Sequence, residues 1–305
     1  MQELIQTIVS GLVTGCIYAL IALGYTMVYG ILKLLNFAHG DVYMIGAFLG
    51  YFVVQWFGGP LALSIPVPLL ILVMFVVAAG GCGALGMAIE RFAYRPLRDA
   101  PRIAPLITAL GVSFILENSI LLIYGGFPRS YNTTDYISFN SGITIDGVRI
   151  DSVELMIFGT TIVLCVGLML LVQRTTLGKS MRAIASDREA AMMLGINVDR
   201  TIALTFLIGS AIAGIAGVLT GLQIAGINNT LGFLAGLKAF TAAVVGGIGS
   251  IPGAMVGGLL IGLAESFTLV YISTKYSDLI VFGILIATML IRPTGILGKR
   301  ALQKV

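Results

Sequence analysis

Six stretches of the chain contain no Asp, Glu, Lys or Arg: residues 4–32, 42–89, 155–173, 201–237, 239–264 and 279–291. A helix needs roughly 20 apolar residues to cross the hydrocarbon layer. Several of these blocks are long enough, and the block from 42 to 89 must hold two spans. Short segments of alternating apolar and polar residues, the mark of a membrane barrel, do not occur. The pattern predicts spans near 4–30, 41–57, 64–89, 103–124, 154–173, 201–223, 233–248, 253–272 and 278–292. The expected fold is therefore all-α, a polytopic integral membrane protein of about nine spans, eight to ten as bounds, forming one transmembrane domain over residues 1–305. The first block lacks a basic leader and a compact apolar core of signal-peptide type, so it is expected to stay as a span.

The seventh span is the weak one. It contains Lys238 and runs into Gly246-Gly247-Ile248-Gly249-Ser250-Ile251-Pro252-Gly253. Glycine and proline interrupt helices, and a broken helix survives in a membrane only where protein or a water-filled cavity satisfies the freed backbone. Gly246, Gly247, Gly249, Pro252 and Gly253 thus predict a broken or re-entrant helix. Small residues four apart (Gly11/Gly15, Gly46/Gly50, Gly217/Gly221, Gly253/Gly257 and Gly258/Gly262) predict close helix packing.

Composition agrees: 58% of residues are hydrophobic and 10% charged, and the mean hydropathy is +1.02. The net charge of +4 does not imply a nucleic-acid partner, because the basic residues cluster. Arg91, Arg95, Arg98 and Arg102 form one group, Arg174, Lys179, Arg182, Arg188 and Arg200 a second, and Arg292, Lys299, Arg300 and Lys304 a third. The positive-inside rule places all three in the cytoplasm. The polar stretch 125–152, poor in Lys and Arg, then faces outside, with the N-terminus outside and the C-terminus inside. Cys16, Cys82 and Cys165 fall in apolar blocks without metal-ligand spacing and read as small core residues.

Polar groups at membrane depth are costly, so they mark function or pairing. Asn36-Phe37-Ala38-His39-Gly40-Asp41 contains the chain's only histidine. Asn36 and His39, three apart, are expected on one helical face. Together with Asp41 they form either a pathway or gate element or a polar turn at the cytoplasmic boundary. Glu117 and Asn118 in the fourth span, and Glu265 in the eighth, are expected to point inward or sit near an interface, and an ion pair of Glu265 with Lys238 competes with a ligand contact.

The segment 174–200 carries a helix of its own. Ser186 with Glu189 three residues later reads as a capping box, and Gly195 as a left-handed C-cap. Asp187 and Arg188 flank Ala190, Ala191, Met192, Met193 and Leu194, an apolar surface that either lies on headgroups or docks a partner. Gly178-Lys179-Ser180 is not a phosphate loop, because Gln173 stands where glycine is required, and Gly247-Ile248-Gly249 fails the dinucleotide pattern at Pro252. No cofactor, metal site or catalytic constellation is predicted.

The string Leu35-Asn36-Phe37-Ala38-His39-Gly40-Asp41-Val42-Tyr43-Met44-Ile45-Gly46-Ala47 resembles the signature of branched-chain amino acid permeases of ABC importers, the Liv type. Glu189-Ala190-Ala191 followed by Gly195 is similar to the EAA motif through which importer permeases engage their ATPases. Leu194-Gly195-Ile196-Asn197-Val198 and the run from Gly246 to Ala254 fit the same family. The wider EAA pattern continues to Ile-x-Leu-Pro, where this chain has Thr205-Phe206-Leu207-Ile208. The resemblance implies ATPase docking by residues 186–195, a second homologous permease subunit in a heterodimer, two cytoplasmic ATP-binding subunits and an extracytoplasmic binding protein for leucine, isoleucine or valine. The rival readings are an amide or urea importer on the same scaffold, an ion-coupled secondary transporter and a membrane enzyme.

Overall fold

The computed structural model describes residues 2–58, 66–98, 100–101, 103–131, 142–145, 148–224 and 226–298. The basic residues Arg102, Lys299, Arg300 and Lys304 and the middle of the polar stretch, 132–141, lie outside the described residues. The helices in chain order are α1 (Gln2–Leu32), α2 (His39–Gly58), α3 (Val67–Ile89), α4 (Ile103–Tyr124), α5 (Ser152–Arg174), α6 (Thr176–Ser186), α7 (Arg188–Met193), α8 (Val198–Gln223), α9 (Leu231–Gly246), α10 (Ile251–Tyr271) and α11 (Ser277–Ile291). A hairpin of β1 (Ile143–Ile145) and β2 (Val148–Ile150), antiparallel with Thr144 opposite Arg149, leads into α5. Among the described residues seven helices are long and apolar enough to cross a membrane. α2 has 20 residues. α9 has 16, a rise of roughly 24 Å against a hydrocarbon core of about 30 Å.

α1 is the hub and is buried along most of its length from Gly11 to Val28. Four of the five small-residue pairs meet neighbouring helices at both glycines; in the fifth Gly217 does so while Gly221 faces the Tyr131 ring. A Cβ on Gly262 would overlap the backbone of Gly15, one on Gly258 the backbone of Ala19, and one on Gly15 would come within 2.8 Å of Leu259 Cα. α2 meets α8 in the same way, Gly46 against Gly214 and Gly217 against Tyr43 and Ala47. Gly253 faces Gly246, and Gly257 faces Ala242, across α9 and α10. Lipid tails are as apolar as side chains, so the gain here comes from dispersion between closely approached backbones. α4, α5 and α11 sit outside this seam, with many exposed apolar side chains.

The glycine-rich run forms the turn between α9, which is shorter than a full span, and α10. α9 ends at Gly246, Gly247 (φ +107) and Gly249 (φ +94) reverse the chain, and the Ser250 side chain accepts from the Gly253 amide at 3.2 Å to start α10. Pro252 occupies the second position of α10, where no intrahelical amide is needed. The last four carbonyls of α9 are all satisfied: Ala243 and Val244 accept from Gly247, while Val245 and Gly246 accept from Ile296 and Leu297 at 2.9 Å. The chain after α11 thus folds back beneath α9. The ends of α1, α5, α6 and the α9–α10 turn enclose a cavity of about 110 Å³ lined by Met27, Ile31, Val172, Met181 and Ile251. They form one rim, the basic rim.

Gly262→Leu should prevent the α1–α10 seam from closing and abolish recovery of a monodisperse, detergent-purified chain, because overpacking a tight contact costs about 1–3 kcal/mol or more. Gly283→Leu, at a position with no neighbour within 4 Å, should leave recovery and thermal midpoint unchanged.

Candidate functional site

α2 begins deep in the bundle. His39 packs on Ile21, Gly24 and Tyr25 of α1, seven to eleven residues before that helix ends at Leu32. At 1.5 Å per residue this is roughly 10 to 16 Å along the axis. Residues 33–38 therefore turn back inward, starting with Lys33 in a left-handed conformation (φ 54). Asn36 precedes the helix and does not share a face with His39, contrary to the three-residue spacing. Its carbonyl accepts the His39 amide at 3.1 Å, and its side-chain oxygen accepts from Tyr94 Oη, also at 3.1 Å.

His39 and Asp41 are each 1% exposed. The imidazole meets the Tyr25 ring edge-on at 4.9 Å, bonds the Ile21 carbonyl and fills a notch that any Cβ on Gly24 would close. Asp41 accepts from Ser113 of α4, and Gly40 lies against Gly232 and Gly236 of α9. Among the described residues His39 Nε2 and Asp41 Oδ1 have no hydrogen-bond partner. The structure thus brings together Asn36, His39 and Asp41 around the start of α2, with Tyr25, Tyr94 and Ser113 as partners. Glu117, half-buried, lies within electrostatic reach of Asp41. Asn118 is exposed and donates to the Phe114 carbonyl of its own helix at 2.8 Å, so it takes no part in the cluster.

Glu265 resolves into an ion network. Its carboxylate accepts from Lys238 Nζ at 2.6 Å, Tyr18 Oη at 2.6 Å and Ser277 Oγ at 3.2 Å, and Lys238 also reaches Asp278 at 2.8 Å. Side chains of α1, α9, α10 and α11 meet there, holding the short α9 in place. At the basic rim, α3 continues through a π-helical turn, Glu90–Tyr94, and a 3₁₀ turn, Arg95–Leu97. The π turn inserts an extra residue and aims Tyr94 at Asn36. Buried Arg98 pairs with Glu90 and Asp199, and Arg95 also pairs with Asp199, tying α3 to the first turn of α8.

The segment 174–200 folds as two helices. α6 is held to the bundle by buried Gly178, Met181 and Ile184, with Arg182 donating to the Val172 carbonyl. The N-cap of α7 is Asp187, not Ser186: its carboxylate accepts from the Glu189 and Ala190 amides, both at 3.0 Å, while Ser186 closes α6. No capping box forms there, because Glu189 sits at the second helical position, one short of the reach-back geometry. At the other end Gly195 (φ +78) donates to Met192 O and Ile196 to Ala191 O, the paired bonds of a Schellman cap. Ala191 is buried, whereas Met193 is 87% and Leu194 79% exposed. Beside them Arg188, Gly195, Asn197 and Asp199 line an open groove of about 410 Å³.

The chain matches the family described as branched-chain amino acid transport system / permease component over residues 7–289. It is 46% identical to the high-affinity branched-chain amino acid transport system permease protein BraD of Pseudomonas aeruginosa, covering 99% of this chain and 98% of the relative. It is 42% identical to the permease protein LivH of Escherichia coli K12, over 99% and 97%. It is 30% identical to a probable LivH of Methanocaldococcus jannaschii, over 92% and 88%. The chain belongs to the branched-chain amino acid permease family. No solved structure matches.

Membership covers the whole bundle of this multi-pass membrane protein, including the α2 start and α7. Sequence reasoning about the permease missed Glu90, Tyr94, Arg98 and Asp199. The signal available was Glu90 closing the longest charge-free block, an acid with no reason to stand at a basic rim unless paired. Tyr25 and Ser113 left no mark in the pattern. Among the described residues no group of three His, Cys, Asp or Glu is placed to hold a metal.

Lys238→Met should destabilise the permease by about 3 kcal/mol, since it leaves Glu265 as an unpaired buried charge. Lys238→Met combined with Glu265→Gln should recover most of the loss. Thermal unfolding of the purified chain in detergent measures both, and an additive double mutant would show that the pair is not coupled.

Proposed function

We propose that this permease is the membrane subunit of an ATP-driven importer carrying leucine, isoleucine or valine into the cytoplasm by alternating access. The reading rests on α7: a short helix capped at both ends, whose apolar tip of Met193 and Leu194 points away from the bundle. A six-residue helix has no stability of its own, and its caps fix it as a rigid knob for another protein to grip. The basic rim is then cytoplasmic, the N-terminus and the 125–152 loop lie outside, and the membrane is the bacterial inner one. The partners are two ATP-binding subunits on the segment 174–200, a second homologous permease subunit beside the exposed apolar helices, and an extracytoplasmic binding protein. The chain performs no hydrolysis itself and contributes no cofactor; ATP is consumed in the partner subunits.

In this scheme α7 passes motion to α8 through Gly195–Asn197, and the Arg98–Glu90–Asp199 network carries it to α3 and Tyr94. Tyr94 holds Asn36, so the path ends at the start of α2. The buried polar cluster of His39 and Asp41 suits a gate, because side chains at the start of a helix that begins inside the bundle change partners when that helix moves. Cargo selection falls to the binding protein, in keeping with the scarcity of charge inside the bundle.

Met193→Glu should cut uptake of branched-chain amino acids by more than about tenfold while the chain still inserts, because a charge at the centre of a dock costs several kcal/mol. Unchanged uptake and ATPase co-purification would reject α7 as the dock. His39→Leu should impair uptake with the ATPases still bound. A normal rate would reduce the α2 cluster to packing.

A further inference from the structure

The segment after α4 does not leave the bundle directly. Arg129 exchanges both backbone hydrogen bonds with Ile227, each at 2.8 Å, and its guanidinium donates to the Tyr124 carbonyl at the end of α4. Two residues later Tyr131, 2% exposed, drives its ring between α2 and α8. The gap exists because Gly50 and Gly221 face it; a Cβ on either would overlap the phenol. The hydroxyl donates to the Ala47 carbonyl at 2.5 Å.

Ala47 lies inside α2, so the phenol bonds a carbonyl of that helix's own ladder. The ring alone would fill the gap between the two glycines. Only the hydroxyl accounts for the bond to Ala47, and it comes from the rim opposite α7.

We propose that Tyr131 is a positioning residue for transport: it pins the opposite-rim loop into the α2 ladder, so that moving this loop loosens α2 and shifts the buried start at His39 and Asp41. The transport half of this statement rests on the importer reading; the pin does not. Two residues beyond Arg129, and eight residues along α2 from His39, Tyr131 stands where an event at the binding-protein side reaches the gate without passing through α7.

Tyr131→Phe keeps the ring and removes the pin. In the chain assembled with its partner subunits, hydrogen exchange over residues 47–52 should rise about fivefold, the effect expected from losing one buried hydrogen bond, while the thermal midpoint stays within error. Maximal uptake rate should fall with the concentration of binding protein giving half-maximal rate unchanged. Unaltered exchange overturns the pin. Raised exchange with a wild-type uptake rate overturns the positioning role. Absence of uptake in the wild type speaks against the importer reading alone, and the exchange comparison judges the pin without it.

Discussion

Inside hydrocarbon a peptide group has no water to turn to, and the cost of leaving one unpaired governs this molecule. The end of α9 shows the constraint at work. Its last two carbonyls have no amide left within the helix, and the chain after α11 returns to supply those of Ile296 and Leu297. The glycine seams answer a related demand. Without a hydrophobic drive between helices, attraction has to come from backbones brought close, and α1 meets α10, and α2 meets α8, through residues that carry no Cβ at the contact.

Against that background the polar groups sort themselves by how well they are satisfied. Glu265, Lys238 and Asp278 are paired and hydrogen-bonded, joining α9, α10 and α11, with Tyr18 adding α1. Glu90, Arg98 and Asp199 do the same for α3 and α8 at the basic rim, although Arg98 Nε lacks a partner. His39 Nε2 and Asp41 Oδ1, like Thr26 Oγ1 and Thr161 Oγ1, are buried with no hydrogen-bond partner among the described residues. The neighbouring π turn, which aims Tyr94 at Asn36, belongs to the same region.

α7 illustrates how a local signal can be read correctly in kind and wrongly in register. A capped helix between two spans was legible from Glu189 and Gly195. The cap moved from Ser186 to Asp187 because Ser186 was already in α6, held by the burial of Met181 and Ile184. Competition between adjacent elements for one residue is settled by packing, which a four-residue motif does not contain. The glycine-rich run behaved alike: the breaker residues were evident, but whether they interrupt one helix or join two depends on what meets their carbonyls.

The sequence by itself determined the solvent, the helical class, the positions of eight apolar helices to within three residues and of the ninth, α2, at its start to within two, because charge avoidance and apolar length act residue by residue along the chain. It also named Asn36, His39, Asp41 and the 186–195 helix as places of interest, and offered Lys238 as a partner for Glu265. The tertiary structure alone decided that α2 starts within the bundle, that Glu117 lies within electrostatic reach of Asp41 while Asn118 faces away, and that Tyr131 bonds Ala47, 84 residues earlier in the chain. Those outcomes depend on which backbones approach one another, and periodicity carries no information about that.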